Sequence, residues 1–379
     1  MFEHSLRLLF ASVVAVIAVA GLVSAAEAPK TNWKAEWDKV VAAAKKERRV
    51  VVAESGGAGA ETRRLYTEGF QKQFPEIRVD LTVSGGEGSI APRMLTERKA
   101  GRFEWDVLTG GTTTPIEYLL PAGVLDPIRP ALMLPEVTDP SKWFGGQIDF
   151  ADKAGNHVLV FGGYVKPPFA FNSKLVSKKD IDSYWDLLEP RWKGKTVLHD
   201  PRRPGSGLAA VTFWYGWGDK GKEFIRRYLT EQDVKLTGNY RQQLEWLARG
   251  DYVIGIGHNN SVMQDLLSKG LPLAQFTADD IKEANYVTAA IASVSLVNRA
   301  PRPNAAKVFI NWLLTKETLA AWSKVTGFWS RRTDVSHDHL DPGLIPKIEK
   351  MSSYQLNYKE DWVEKREEIV KFLNKLIKQ

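Results

Sequence analysis

Six loops in this 379-residue chain carry residue types suited to holding a small anion. They are Ser55-Gly56-Gly57, the turn around Gly86, Thr112-Thr113, Arg202 with Ser206, Asn239-Tyr240 and Asn259-Asn260. Each follows a short apolar or alternating stretch and precedes a helical pattern. Free backbone N–H groups and the positive end of a helix dipole make such loops receptive to oxyanions. Serine, threonine and tyrosine hydroxyls and asparagine amides add donors without adding charge. Arg202 or Arg203 adds a bidentate fork for a carboxylate or phosphate. Taken singly, every one of these loops reads as a turn or a helix cap, and Arg202 in Asp200-Pro201-Arg202 reads as a brace for its own turn. Gathered around one cleft, they form a binding site.

Catalytic groupings are much poorer. Gly205-Ser206-Gly207 lacks the Gly-x-Ser-x-Gly spacing of a nucleophile elbow. Gly57-Ala58-Gly59 has no third glycine where a dinucleotide fingerprint needs one, and no phosphate-binding Gly-x-x-x-x-Gly-Lys-Ser/Thr occurs. His337-Asp338-His339 offers two metal ligands but sits in a turn before Asp341-Pro342. His199 and His258 are isolated and stand at the rim of the expected cleft. A secreted hydrolase or lyase would need a nucleophile–base pair or a metal cluster, and neither is visible. No catalytic residue, cofactor or metal is therefore expected.

The elements that must position the loops alternate between strand and helix. Arg49 to Ala53 reads as a buried strand, Ile77 to Val83 alternates strictly, and Trp105 to Leu108 is a third strand. Helical patterns follow each, from Glu61 to Phe74, from about Ile90 to Lys99, and after Pro115. A second series begins at Thr196-Val197-Leu198-His199 and continues through Val234-Lys235-Leu236 and Val253 to Gly257. Repeated strand–loop–helix units argue for parallel sheets with helices on their faces, and ligands of such sheets bind beyond the carboxyl ends of the strands. Val165 to Asn172, between the two series, and Tyr286 to Val297, after the second, both look extended. Asn304 to Val325 reads as an amphipathic helix pair, and Asp361 to Ile377 as a terminal helix.

Composition sets the compartment. Lys+Arg 52 against Asp+Glu 45 gives +7, spread too evenly for a nucleic-acid tail. Cysteine is absent, which excludes disulfides, thiol nucleophiles and a lipid-modified N-terminus. Leu8 to Val23 is apolar except for Ser12, follows Arg7, and leads into small residues at Ser24, Ala25 and Ala26. This reads as a secretory signal peptide over residues 1–25, too short for a membrane span. An exported, cysteine-free, unanchored protein suits a bacterial periplasm.

Several stretches together resemble a known family. They include Val50-Val51-Val52-Ala53-Glu54-Ser55-Gly56-Gly57, Trp105-Asp106-Val107-Leu108 and Ala122-Gly123-Val124-Leu125-Asp126-Pro127-Ile128. Pro168-Phe169-Ala170-Phe171-Asn172, Ser183 to Leu188 and Trp192-Lys193-Gly194-Lys195 continue the order. The best match is Asp200-Pro201-Arg202 with Gly205 to Ala210, and Ala305 to Leu314 with Gly327 closes it. The chain resembles a periplasmic solute-binding protein of an ABC importer, and more narrowly the family named for ferric-ion binding. The resemblance implies an α/β, two-lobed periplasmic-binding-protein fold (type II, Venus-flytrap) whose lobes close about two crossing strands. The first lobe is expected at residues 30–128 plus 286–330, the second at 129–285, and residues 331–379 as a helical segment packing on both. The implied partners are a small-molecule solute and an ABC permease in the inner membrane. No nucleic acid is expected, and the protein is expected to be a monomer.

One departure bears on the ligand. Ferric members place two adjacent tyrosines after the strand that matches Val253 to Gly257, because phenolates suit a hard trivalent ion. This chain has His258-Asn259-Asn260-Ser261 there and no Tyr-Tyr pair. A small organic anion is therefore the expected solute. A ferric ion with a co-bound anion is the alternative, with Tyr164, Tyr240 and Tyr286 as the tyrosines that could reach the cleft.

Overall fold

The computed structural model describes residues 32–56, 58–84, 89–283 and 285–377. The expected signal peptide, Gly57 and Gly86 lie outside the described residues. No helix among the described residues is long and apolar enough to cross a membrane.

Strand Arg49–Glu54 is the axis of the first sheet. Its valines pair in parallel with Arg78–Val83 on one side, Val50 opposite Val79, and with Val107–Gly110 on the other, Val52 opposite Val107. Ser293–Val297 then runs antiparallel to Val107–Gly110, followed by Leu159–Val160 and Asp149–Phe150. One face is covered by helices Trp33–Glu47 and Pro303–Leu313, whose contact buries Ala44, Ala305, Phe309 and Trp312. The other face packs on Met94, Trp105, Ile116 and Leu119. Burial of apolar area of this kind is worth roughly 25 cal/mol per Å². A buried ion pair fixes the sheet to the later helix: the Asp106 carboxylate accepts from Val51 N at 2.7 Å and from Arg302 Nε at 2.7 Å.

The second sheet orders strands Lys235–Thr237, Thr196–His199, Ile254–Ile256, Phe169–Asn172 and Leu273–Gln275. The first three are parallel to one another and Phe169–Asn172 is antiparallel to Ile254–Ile256. Its core is aromatic: Trp214 stands edge-on to Phe224 and Tyr228, and Tyr184 edge-on to Phe169, the geometry that ring quadrupoles favour.

Two strands, Gly162–Val165 and Tyr286–Thr288, pair antiparallel and carry the chain between the sheets. The fold is thus two α/β lobes joined by crossing strands. The expected lobe boundary at residue 129 is corrected by sheet membership. Asp149–Phe150 and Leu159–Val160 both pair within the first sheet, so the first crossing comes at Gly162–Val165 rather than near residue 129.

Candidate functional site

A cleft of about 680 Å³ opens between the lobes, and the crossing strands form its floor. Tyr164, Tyr286 and Thr288 rise from those strands, and Lys166 from the residue just past the first of them. The second lobe presents His199, Arg203, Gly205, Ser206, Tyr240, Asn259 and Asn260, and the first lobe presents Gly56, Gly59, Glu61 and Thr62.

The second-lobe wall is built by three strand-to-helix turns. Thr196–His199 ends at Asp200, and helix Ser206–Tyr215 begins a few residues later. Gly207 lets that helix seat directly on the strand end, since a Cβ there would lie 1.9 Å from the His199 carbonyl oxygen. The His199 ring stacks on Tyr240 at 3.9 Å between centroids, and the Tyr240 hydroxyl accepts from Ser206 N at 3.1 Å. Burial depresses the His199 imidazole to about 4, so it is neutral at physiological pH, and its Nδ1 has no partner among the described residues.

Asn239 and Asn259 are helix caps. Asn239 accepts from Arg241 N and Gln242 N, and Asn259 accepts from Val262 N, the ordinary work of an N-cap asparagine. Asn259 nevertheless lines the cleft, whereas Asn239 is absent from its lining. Asn260 is buried, lines the cleft, and its Oδ1 finds no partner among the described residues. Arg202 is corrected as a solute clamp. Its fork grips Asp200 through Nε at 2.9 Å and Nη2 at 2.8 Å, which holds the Asp200 carboxyl below its usual range. The exposed Arg203 faces the cleft in its place.

The first-lobe turn is also corrected as an open anion nest. Glu54 ends its strand with the carboxylate turned back into the loop, accepting from Gly56 N and Ala58 N, each at 2.8 Å. The protein's own anion satisfies those donors. Ser55 is turned inward as well, its N and Oγ both donating to the Thr109 carbonyl. Thr112 and Thr113 are buried behind the cleft surface, where Thr113 Oγ1 accepts from Arg366 Nη1. Of the residues expected from the six loops, Gly56, Ser206, Tyr240, Asn259 and Asn260 come together at the cleft.

Lys166 and Arg366 join the site without having stood out in the sequence. Lys166 is 2% exposed and its Nζ donates to the His258 carbonyl and, at 3.5 Å, to the Tyr164 hydroxyl. Desolvation lowers the ammonium to about 7. His258 beside it is buried and held well below the usual imidazole range, first by desolvation and then by Lys166. Burial holds the Tyr164 and Tyr286 hydroxyls in the protonated form. Among the described residues, the cleft therefore has three basic side chains, the permanently charged Arg203 and Arg366 and the titratable Lys166, against one lining carboxylate, Glu61. No group of three or more His, Cys, Asp or Glu able to hold a metal occurs among the described residues.

The model of a family described as bacterial extracellular solute-binding protein matches residues 50–328. An uncharacterized protein of Haemophilus influenzae is 25% identical over 283 residues, covering 70% of this chain and 77% of that protein. Iron uptake protein A1 of Synechocystis is 20% identical over 303 residues, covering 68% of this chain and 78% of its own. Among solved structures, iron-bound HitA from Pseudomonas aeruginosa aligns with a TM-score of 0.65 at 17% identity, over 86% of this chain and 99% of that one. The periplasmic binding protein AfuA from Actinobacillus pleuropneumoniae, with exogenous fructose-6-phosphate bound, aligns with a TM-score of 0.64 at 21% identity, over 87% of this chain and 98% of that one. At these identities the structural likeness speaks for the two-lobed fold, while the family match spans most of the chain. The chain belongs to the bacterial extracellular solute-binding protein family.

Proposed function

We propose that this solute-binding component of an ABC import system captures a small organic anion, phosphorylated or carboxylated, between its lobes and delivers it from the periplasm to a membrane permease. The observation that carries the reading is the charge of the cleft: among its described lining residues, Lys166, Arg203 and Arg366 stand against Glu61. Neutral donors complete the set. Ser206, Asn260 and the protonated hydroxyls of Tyr164 and Tyr286 suit the hydroxyl groups of an organic ligand. Where the ferric members carry two adjacent tyrosines after the strand that matches Val253 to Gly257, the chain has Asn259 and Asn260, whose amides are neutral hydrogen-bonding groups rather than hard anionic ligands. The similar fold of AfuA holds fructose-6-phosphate and that of HitA holds iron, so both ligand classes belong in the test.

A thermal-shift and calorimetry screen tests the assignment. Fructose 6-phosphate, citrate, succinate and inorganic phosphate stand against fructose and ferric citrate. Stabilisation by one or more of the organic anions without iron is the expected result. Stabilisation by fructose or only by ferric citrate overturns the anion reading and leaves a solute-binding protein of another specificity.

Asn260→Ala is expected to weaken binding of the anion found in that screen several-fold, since one well-made hydrogen bond contributes about 1 kcal/mol. Its melting temperature without solute should match wild type. Asn259→Ala should behave differently, because losing the cap of helix Asn260–Ser268 costs about 1 kcal/mol of stability. Unchanged affinity in Asn260→Ala would move the solute away from this turn.

A further inference from the structure

The chain beyond the family-matched residues brackets the crossing strands. Trp329–Ser330 pairs antiparallel with Gly162–Val165, and Gln355–Leu356 pairs parallel with Tyr286–Thr288. Both crossing strands are therefore internal to a four-stranded sheet whose edges come from this C-terminal segment. The segment is tied to both lobes. Tyr358 Oη donates to the Asp149 carboxylate of the first lobe at 2.7 Å, and Glu360 accepts from Lys153 N. On the second lobe, Asn357 Nδ2 donates to the Ala209 carbonyl at 2.8 Å, Tyr215 donates to Glu368, and Ile369 and Leu373 enter the aromatic core.

Arg366 opens the last helix, Arg366–Leu376, between these two sets of anchors and lines the cleft. Its Nη2 donates to the Asn357 carbonyl at 3.2 Å, and its Nη1 crosses to Thr113 Oγ1 of the first lobe. Both partners are neutral oxygens. Its Nε is buried and has no hydrogen-bond partner among the described residues. A guanidinium offers five N–H donors in a planar fork and is never deprotonated in a protein. One that faces a binding cleft with a buried donor left over, and with no ion pair among the described residues, is poised for an anion.

We propose that Arg366 contacts the solute and selects for its anionic group, supplied by the C-terminal segment rather than by a strand-end loop of either lobe. The assignment rests on the anion reading of the same cleft. It also explains the bridging placement. An arginine mounted on the second lobe and bonded to a first-lobe hydroxyl changes partners when the lobes rotate, so a solute that replaces Thr113 ties capture to closure.

The test compares full-length wild type, Arg366→Gln and Arg366→Lys by calorimetry with fructose 6-phosphate, fructose and citrate. Both variants should melt near wild type without ligand. Arg366→Gln is expected to lose roughly 10- to 100-fold in affinity for the anion, the scale of a charge-assisted contact, and the ratio of ester to parent-sugar affinity should collapse with it. Arg366→Lys should recover part of that ratio, because it restores charge without the fork. Equal anion affinity in wild type and Arg366→Gln overturns this assignment and leaves the anion reading standing. Wild-type protein that takes fructose or iron and none of the anions overturns both.

Discussion

Replacing Lys166 by methionine is expected to cost about two orders of magnitude in affinity for the anionic solute while making the empty protein more stable. The side chain lies just past the crossing strand Gly162–Val165, almost wholly out of water, with Nζ on the His258 carbonyl and near the Tyr164 hydroxyl. An ammonium has three donors, and the cleft is where a further acceptor can arrive. Burial lowers its pKa to about 7 in the folded state from 10.5. Between these two values the unfolded chain binds a proton that the folded chain does not, so this group makes stability rise with pH through that window. Below pH 7 both states are protonated, and the full cost of burying the charge is present, on the order of several kcal/mol. Lys166→Met removes that cost, so its stability gain over wild type should be largest in mild acid and fade as pH rises toward 10. Binding shows the opposite face of the same linkage. An anion beside Nζ raises its pKa, so at pH 8 capture should take up close to one proton in wild type and none in Lys166→Met. Calorimetry in two buffers of different ionisation heat measures this directly. A phosphate ester, with its second pKa near 6, is already dianionic at that pH. His199 and His258 also face Lys166 electrostatically, and both are held neutral. Proton uptake that persisted in Lys166→Met would pass the role to one of them.

That lysine illustrates how site residues hide in a sequence. It is the one charged side chain in the apolar run from Gly162 to Phe171, and a lone lysine among valine, proline and phenylalanine is a readable signal. Arg366 carries no such mark, because it sits in a tail helix crowded with lysine and glutamate. Only tertiary contact with Thr113 distinguishes it. Strand and helix periodicities were legible where they are local and strong. Ile77 to Val83 alternates and forms Arg78–Val83, and Asn304 to Val325 resolves into helices Pro303–Leu313 and Lys316–Thr326. The point of lobe crossing was not legible, because Asp149–Phe150 and Leu159–Val160 are two-residue strands with no periodicity to detect.

Of the expected loop residues, Gly56, Ser206, Tyr240, Asn259 and Asn260 line the cleft, and they differ as donors for a chemical reason. Glycine-rich turns advertise free N–H groups, yet a nearby side chain can satisfy them first. Glu54 does this for Gly56 and Ala58, and Asp200 likewise engages Arg202. In both cases the competing carboxylate lies within four residues of its partner, so a search for anion loops should discount any that carry their own Asp or Glu. Applied here, that rule discounts the turn at Gly56 and Arg202 in the turn before Ser206, and leaves the turn at Asn259-Asn260 and the crossing strands as the stronger candidates.

Those strands tolerate very little, and Gly163→Ala is expected to cost on the order of 3–5 kcal/mol and to weaken solute binding, combining overpacking with backbone strain. Gly163 has φ +151, a conformation that residues with a Cβ rarely adopt. A Cβ there would lie 2.2 Å from the Thr288 carbonyl oxygen, a backbone atom of the facing crossing strand that cannot swing aside. The next pair in the ladder is Tyr164 with Thr288, and Lys166 follows two residues later. Pushing the strands apart therefore displaces the residues that form the floor of the cleft. Gly145→Ala separates the two contributions. Gly145 also has positive φ, +74, but nothing stands within 4 Å of where its methyl group would sit, so it should lose only about 1 kcal/mol from strain. Chemical denaturation of both variants gives the comparison, and calorimetry with the screened anion gives the binding half. Equal losses in the two variants, or full affinity in Gly163→Ala, would mean that the crossing strands do not hold the cleft residues in place.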